Sequence, residues 1–238
     1  RPRDEGDRVD VLVELAGVDP RRALERVPMT QHAVRGHLVE GIDLADSLAL
    51  DPHKGMHVPF EVGCALVRDA RSHLRTFALH AEYLDAAPRG IAAGEWLLDY
   101  GLQTSRGFRA LKVWMMLKEH GSDRFGRIIG RNIRQAHRLA ERIEVEPHLT
   151  LLAPVTLDIA CFRYDPGGLD STSLVALNTE IMMRLQEGGI AAFSDTTVKG
   201  THGLRAAICN HRTADSDIDA AVSALLEIGQ ELVKLKAR

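Results

Sequence analysis

The sequence predicts an α/β fold. Short apolar segments typical of strands alternate with segments of helical spacing, a combination that favours sheets covered by helices. From Pro147 onward the alternation is tightest, which indicates a small α/β domain with a partly antiparallel sheet. At 238 residues the chain is long enough for one or two domains with a substantial core.

The first forty residues give weak signals. Residues 1–8 are mostly charged and we expect a mobile tail there. Residues 9–18 could form a short helix or a strand. Asp19 and Pro20 resemble an N-cap followed by proline at the first helical position, which opens a helix over 21–26. Residues 32–40 again have helical spacing.

Two short strands follow, separated by the most informative stretch of the chain. Residues 48–50 predict a short buried strand and residues 63–68 a second strand. The segment 77–101 is long, mixed in polarity and holds Pro88, Gly90 and Gly94. Long irregular segments are usually functional lids or disordered.

The remaining elements are more regular. Residues 108–120 predict a helix with an apolar stripe, ended by Gly121 as a C-cap, and residues 124–143 a second helix. Beyond Pro147 we predict, in order, a strand at 157–164, a helix at 171–186, strands at 190–194 and 204–210, and a helix at 216–234.

Composition is that of an ordinary globular protein. The chain is 45% hydrophobic and 26% charged, with a net charge of −3, so no basic excess points to nucleic acid and no apolar run is long enough to span a membrane. Cys64, Cys161 and Cys209 lack metal-ligand spacing, and we expect them to be reduced and mostly buried. The charged opening has no signal-peptide pattern, and we expect a cytoplasmic protein.

The candidate chemistry centres on Lys54. The strand at 48–50 runs into Asp51-Pro52, which stops regular structure and presents His53 and Lys54 side by side. A lysine activated by its surroundings commonly forms a Schiff base with an aldehyde cofactor, and His53 could supply a polar contact. The alternative is that Lys54 is one solvated cation among 30 lysines and arginines.

The residues around Lys54 form a specific sequence motif. Residues 46–54, Asp-Ser-Leu-Ala-Leu-Asp-Pro-His-Lys, with 58–60 and 63–68, closely resemble the cofactor-lysine region of the group II pyridoxal-phosphate-dependent amino acid decarboxylases. This family includes aromatic amino acid, histidine, glutamate and diaminobutyrate decarboxylases. The resemblance continues through 105–114 and 204–213 and covers roughly residues 32–230.

The resemblance implies a fold and a domain division. The fold would be that of the fold-type I transferase-like enzymes, with pyridoxal 5′-phosphate as cofactor. Residues 1–27 would be an N-terminal tail or partner-contacting segment. Residues 28–145 would be the end of the large cofactor-binding domain, and residues 146–238 the small C-terminal α/β domain.

It also implies roles near the cofactor. Lys54 would hold the cofactor as a Schiff base that is exchanged for the substrate amine. His53 and Ser47 would contact the cofactor phosphate or the substrate carboxylate. The local alternatives are that Ser47 caps the strand end and that His53 is a satisfied buried histidine.

Tyr83 resembles the mobile-loop tyrosine of these decarboxylases. That residue is thought to protonate the carbanion left when carbon dioxide departs, and a phenol in a closed site suits this task. Relatives that perform oxidative deamination carry phenylalanine there, so Tyr83 favours simple decarboxylation. The alternative is a half-buried tyrosine that anchors a loop.

A second group of residues precedes the helix at 108–120. Arg106 matches an arginine of the family's (Gly/Ser)-Arg-Arg motif and would contact the substrate, although Gly107 replaces the second arginine. Thr104 and Ser105 would approach the cofactor phosphate of the opposite subunit of a dimer. Capping of the next helix would explain them equally well. The roles of His211 and Arg212 stay open.

Two family features are not recognisable in the sequence. One is the aspartate that pairs with the pyridine nitrogen; Asp19 echoes it faintly, but the following proline would spoil the strand. The other is the histidine that stacks on the ring. The phosphate-binding Gly/Ser segment is also missing. Without the aspartate the pyridine nitrogen would not stay protonated, so the electron sink would be weak in this chain alone.

We therefore expect a split enzyme, in which a second polypeptide supplies the N-terminal half and the assembled unit forms a dimer. A proteolysed or incomplete full-length protein would look identical. A degenerate homologue with a structural or regulatory role is a third explanation, and oxidative deamination or elimination is the rival chemistry. High Ala and Arg content hints at bacterial secondary metabolism.

Overall fold

The computed structural model describes residues 41–78, 87–90, 93–94 and 96–236. They form two compact units, one up to Phe125 and the other from Gly126. The segments predicted at 9–18, 21–26 and 32–40 lie outside the described residues. The domain boundary at residues 145 and 146 stays a prediction.

The first unit begins with a two-stranded antiparallel ribbon. A 3₁₀ turn at Ile42–Leu44 leads into β1 (Ser47–Leu50), which pairs with β2 (Cys64–Val67). Both strands confirm the sequence prediction. The prediction that the first is buried is wrong: Leu48 and Leu50 are half-buried and Ala49 is exposed. A strand with one paired neighbour packs too little surface to bury either face.

Two helices complete the described part of this unit. Helix α1 (Ala70–Phe77) was not predicted; Asp69 is its N-cap and accepts hydrogen bonds from the backbone of Arg71 and Ser72. A 3₁₀ turn at Leu97–Tyr100 precedes α2 (Arg109–His120). Gly121 ends α2 with a φ of 69° and donates its N–H to Leu117 O, which confirms the predicted C-cap.

The second unit is a four-stranded sheet with three helices. Its elements are α3 (Ser122–Glu144), β3 (Leu149–Leu151), β4 (Ile159–Tyr164), α4 (Ser171–Glu187), β5 (Ser194–Val198), β6 (Thr201–Ala207) and α5 (Asp215–Lys236). The strand order is β3-β4-β6-β5. Every pairing among the described strands is antiparallel, where the sequence predicted a partly antiparallel sheet.

The helix predictions for this unit are confirmed, but one strand prediction is wrong. Residues 190–193 are not a strand, and β5 begins only at Ser194. The backbone N–H of Ile190 instead bonds to Leu185 O and closes the end of α4. The side chain of Gln186 also donates to Phe193 O. These contacts hold the apolar segment against the helix end.

The core of the second unit lies between the sheet and its helices. Phe162 and Tyr164 of β4 are almost fully buried, as are Ile181 of α4 and Leu225 of α5. Buried Asn178 of α4 ties this helix to β4 because its amide accepts from the N–H of Tyr164 and donates to the carbonyl of the same residue, both at 2.8 Å. The backbone of β4 is therefore satisfied by a side chain as well as by its neighbouring strands.

A tight hairpin joins β5 to β6. Val198 pairs with Thr201, and the two residues between them both have positive φ, 49° for Lys199 and 81° for Gly200. This is the two-residue turn that matches the right-handed twist of paired strands. Among the described helices, none is long and apolar enough to cross a membrane.

Candidate cofactor-lysine site

A tight turn after β1 positions Lys54. The backbone N–H of Lys54 donates to Asp51 O at 2.9 Å, with buried Pro52 in the second position, where its fixed φ suits such a turn. Pro52 O in turn accepts from the N–H of Val58, which is 3% exposed. The turn is thus anchored through its proline, and its first and last side chains meet.

Those two side chains form an ion pair at the surface. Lys54 Nζ lies 2.6 Å from Asp51 Oδ2, and the two side chains are 69% and 45% exposed. The hydrogen bond from Lys54 holds the pKa of the Asp51 carboxyl below its usual range. Exposed pairs of this kind are weak, so another partner can displace the carboxylate from the amine at little cost.

His53 points into different surroundings. Its Nδ1 lies 2.6 Å from the carbonyl oxygen of Val62, and the edge of the Phe60 ring faces its own at 5.0 Å. A carbonyl only accepts, so Nδ1 carries a proton in this contact. His53 is therefore a half-buried histidine with a satisfied nitrogen, which agrees with the local alternative and leaves a cofactor role open.

A shallow cavity of about 330 Å³ adjoins His53. Its lining consists of His53, Phe60, Glu61, Val62, Gly63, Gln103 and Arg109, and presents both apolar surface and charged groups. Arg109 donates to Glu61 at 2.6 Å, and this hydrogen bond lowers the pKa of the Glu61 carboxyl. Lys54 does not line the cavity.

The other predicted site residues lie apart from this turn. Ser47 is exposed at the start of β1, and Thr104 and Ser105 are exposed in the segment before α2. Arg106 donates to Leu97 O at 3.1 Å. Among the described residues, no hydrogen bond joins these four to His53 or Lys54. Tyr83 lies outside the described residues.

The structure decides one local alternative. Phe108 occupies the N-cap position of α2, and no side chain caps that helix. The capping explanation for Thr104 and Ser105 is therefore wrong. In the second unit His211 accepts from Arg131 through its carbonyl, and the N–H of Arg212 donates to Asn210. These contacts give His211 and Arg212 places in a turn and no chemical role.

Sequence reasoning missed Arg109 and Lys112 of α2. Lys112 Nζ donates to the carbonyls of Pro59, at 3.0 Å, and Glu61, at 2.8 Å. The available signal was two basic residues three positions apart on one helix, which share a face. Their partners are loop atoms about fifty positions away in the chain, which no local pattern reveals.

The side chains on this turn fit one end of the cofactor that the resemblance implies. Pyridoxal phosphate offers an aldehyde, a ring nitrogen and a phosphate. Lys54 supplies a primary amine that solvent reaches, which suits the aldehyde. The adjacent carboxylate, Asp51, is engaged by that amine. The turn thus matches the aldehyde end, and the remaining contacts must come from elsewhere.

Comparison with known proteins gives two consistent findings. The profile described as the pyridoxal-dependent decarboxylase conserved domain matches residues 29–165. An aromatic-L-amino-acid decarboxylase of Bacillus atrophaeus is 30% identical over 196 residues, 82% of this chain and 41% of that protein. An L-2,4-diaminobutyrate decarboxylase of Rhizobium meliloti (strain 1021) is 28% identical over 240 residues, 97% of this chain and 47% of that protein.

Solved structures agree on the fold. Oryza sativa TDC, crystallised with PLP and tryptamine, has a TM-score of 0.75 at 22% identity over 83% of this chain and 41% of its own. Mouse CSAD has a TM-score of 0.74 at 23% identity over 87% of this chain and 44% of its own.

The chain therefore spans less than half the length of these relatives. The matched profile includes Lys54 and covers more than half of the chain, and the predicted fold-type I architecture and pyridoxal cofactor are confirmed for the family. From its sequence and its fold, this chain belongs to the pyridoxal-dependent decarboxylase family.

Proposed function

We propose that this chain carries the cofactor-lysine part of an enzyme that removes the carboxylate of an L-amino acid as carbon dioxide and releases the amine. One observation carries the proposal. Within the region that matches the family, a hydrogen-bonded turn presents the amine of Lys54 to solvent, and the contact that holds this amine among the described residues is with an exposed carboxylate. A Schiff-base lysine needs an accessible amine with a replaceable partner.

Each predicted site residue has a task in this proposal. When bound, pyridoxal phosphate supplies a ring that takes up the electron pair as the carboxylate leaves. Lys54 would hold its aldehyde carbon, while His53 and Ser47 would contact the phosphate or the substrate carboxylate. Thr104 and Ser105 would reach the phosphate in a neighbouring subunit. Arg106, with guanidinium donors beyond the one used by Leu97, would bind the substrate carboxylate.

The direct test is the visible spectrum, with pyridoxal phosphate, of the complex assembled from this chain and its proposed partner chain. We expect Lys54→Ala to abolish the yellow absorbance of the lysine-bound cofactor and its trapping by borohydride. The matched control is Lys118→Ala, which removes an exposed lysine near the Trp114 ring in the same unit. Persistence of the band and the trapped adduct in Lys54→Ala would contradict the assignment.

Tyr83 would deliver the proton to the α-carbon after carbon dioxide departs. Tyr83→Phe should then suppress amine formation far more than cofactor binding, because the variant removes a proton donor and keeps the ring. The assay should measure amine, aldehyde and hydrogen peroxide together. Unchanged amine would place the acid elsewhere, and aldehyde with peroxide would indicate oxidative deamination by dioxygen.

We also propose a partner for this chain. The groups that pair with the pyridine nitrogen and stack on the ring would come from the part of the family fold that precedes residue 29, on a second polypeptide. The short match to each relative supports this. Native mass spectrometry of the protein isolated from its source should show a heteromer, with two assembled units forming a dimer. A single longer chain would contradict the split arrangement and leave the chemistry untouched.

The setting proposed for this enzyme is the cytoplasm of a bacterium, with a role in secondary metabolism. Cys64, Cys161 and Cys209 are all free thiols, which agrees with a reducing compartment. The prediction that they are mostly buried is wrong, because Cys64 and Cys161 are half-buried and Cys209 is exposed.

A further inference from the structure

Two basic residues of α2 hold the loop that contacts His53. The loop comprises Pro59, Phe60, Glu61 and Val62, and we call it the 59–62 loop. We propose that Lys112 and Arg109 are positioning residues, which fix the His53 imidazole by clamping this loop. All the residues concerned lie in the first unit.

Lys112 makes one of the two attachments. Its ammonium donates to the carbonyls of Pro59 and Glu61 at 3.0 and 2.8 Å, so one cation fixes two peptide planes of the loop. Bonds from a charged donor are stronger than neutral ones. Lys112 is also half-buried, which reduces competition from water.

Arg109 adds a second attachment one turn earlier on the helix. Its Nε and Nη2 both donate to Glu61 Oε1, at 3.1 and 2.6 Å. Arg109 lowers the pKa of the Glu61 carboxyl, which keeps this ion pair formed at neutral pH. The two cations therefore grip the loop through its backbone and through one of its side chains.

The loop transmits this restraint to His53 through two contacts. Val62 accepts from Nδ1 of His53 at 2.6 Å, and Phe60 packs edge-on against the imidazole at 5.0 Å. Val58 and Val62, at either end of the segment, are each 3% exposed. A loop anchored at both ends and clamped in the middle has little freedom to move its carbonyl away from the ring.

The consequence for the histidine is a defined tautomer. A carbonyl partner keeps the proton on Nδ1, so the other nitrogen is the acceptor when the ring is neutral. The carboxylates of Asp51 and Glu61 interact electrostatically with the His53 ring. The value of this arrangement for catalysis rests on the proposed function, whereas the positional claim rests on these contacts.

The test is deuterium exchange at the C2–H of each histidine, followed by mass spectrometry at pH 7.5 without added cofactor. Lys112→Met keeps the aliphatic stem and removes the donors, and it should accelerate exchange at His53 about three- to tenfold, the population change expected when such hydrogen bonds are lost. Lys112→Arg restores the charged donors and should return His53 to nearly the parent rate.

Two controls give the measurement its specificity. Lys118→Met removes a lysine of the same helix whose ammonium lies over the Trp114 ring, and it should leave His53 unchanged. His73 reports on the same unit through its contacts with Phe77 and Tyr100, and it should keep its rate in every variant. Arg109→Gln is an independent variant and should accelerate His53 alone.

Unchanged exchange at His53 in both Lys112→Met and Arg109→Gln would overturn the proposal. Equal acceleration at His53 and His73 would also overturn it, since that pattern indicates general loosening of the unit. The measurement uses no cofactor. If exchange at His53 does not change, the assignment of Lys54 is unaffected. If the yellow band persists in Lys54→Ala, the conclusion about Lys112 and Arg109 is unaffected.

Discussion

The ion pair between Asp51 and Lys54 affects the two residues in different ways. For Asp51 the nearby ammonium lowers the pKa. For Lys54 the carboxylate is a partner that any incoming aldehyde or anion must displace. Because both side chains are largely exposed, this resting arrangement is easily opened. Lys54 is therefore held in place by the geometry of the turn more than by the energy of the ion pair.

The pair predicts how Asp51 titrates. A carboxyl whose pKa is lowered in the folded protein contributes stability above its ordinary pKa of 3.8, and this contribution is lost as the pH falls through the lowered value. In Lys54→Met the Asp51 midpoint should rise toward 3.8. Carbon-detected NMR titration of the carboxyl groups measures this midpoint.

The control for this titration is Lys118→Met, which should leave the Asp51 midpoint at its parent value. An Asp51 midpoint that does not move when Lys54 is replaced would show that the two side chains are not paired in solution.

At the residue level, the sequence pointed to candidate side chains and gave no indication of their partners. Lys54 and His53 stand in a motif whose residue types and order are specific. Their partners are harder to find, because Val62 contributes only a backbone oxygen and any residue could do so. Lys112 likewise binds carbonyls, which carry no sequence signature. Tyr83 stays a prediction.

At the scale of elements, α5 packs closely on β4 through a glycine. A Cβ added at Gly229 would lie 2.7–2.9 Å from three ring atoms of Tyr164, which is 1% exposed. The helix gives up about 1 kcal/mol of propensity by having glycine rather than alanine there. The close approach to the Tyr164 ring accounts for that choice.

Gly229→Ala should therefore destabilise the protein despite its better helix propensity. Overpacking a buried contact costs about 1–3 kcal/mol and the propensity gain is about 1 kcal/mol, so we expect the free energy of unfolding to fall by up to about 2 kcal/mol. Urea denaturation measures it. Exposed Gln230→Ala, at the next position, should change stability by less than about 0.5 kcal/mol. A more stable Gly229→Ala protein would contradict the packing argument.

Element prediction succeeded where the pattern is long and failed where tertiary contacts decide. Helix α3 extends over 23 residues with clear periodicity, and its prediction was nearly complete. The prediction of a strand at 190–194 was wrong because this apolar segment is hydrogen-bonded to Leu185 and Gln186 at the end of α4. Helix α1 was missed although Asp69 gave a cap signal, since eight residues are too few for periodicity.

At the scale of the whole molecule, the main hydrophobic cluster formed by the described residues lies in one of the two units. The main cluster of buried residues runs from Ala136 to Leu232, entirely within the second unit. In the described part of the first unit, the buried apolar residues are Val58, Val62, Tyr100 and Phe125. The described parts of the two units thus differ in how much buried apolar surface stabilises each of them.

A fragment of residues 122–238 should consequently fold by itself. It contains the complete main cluster and all four strands of the larger sheet, which together supply the buried apolar surface that stabilises a fold. Circular dichroism should show a cooperative thermal transition for this fragment. A fragment of residues 1–121 should give no cooperative transition alone. A cooperative transition for residues 1–121 and none for residues 122–238 would contradict this division.

Recognition of the family was possible from sequence because its motifs are spread along the chain in a fixed order. The fold class followed from that recognition and is confirmed. The domain boundaries could not be read with equal certainty, because α3 runs continuously from Ser122 to Glu144 across the point where the two units divide. A continuous helix gives no composition change at such a boundary.

The hairpin at Lys199 and Gly200 bears on how the larger sheet assembles in time. Its strands are joined by two residues, whereas the pairing of β4 with β6 joins Phe162 to Leu204 and closes a loop of some forty residues. Closing a short loop costs less chain entropy and is faster. The β5–β6 hairpin can therefore form first and expose the unpaired edge of β6. The slow step of refolding is then the pairing of β4 with that edge.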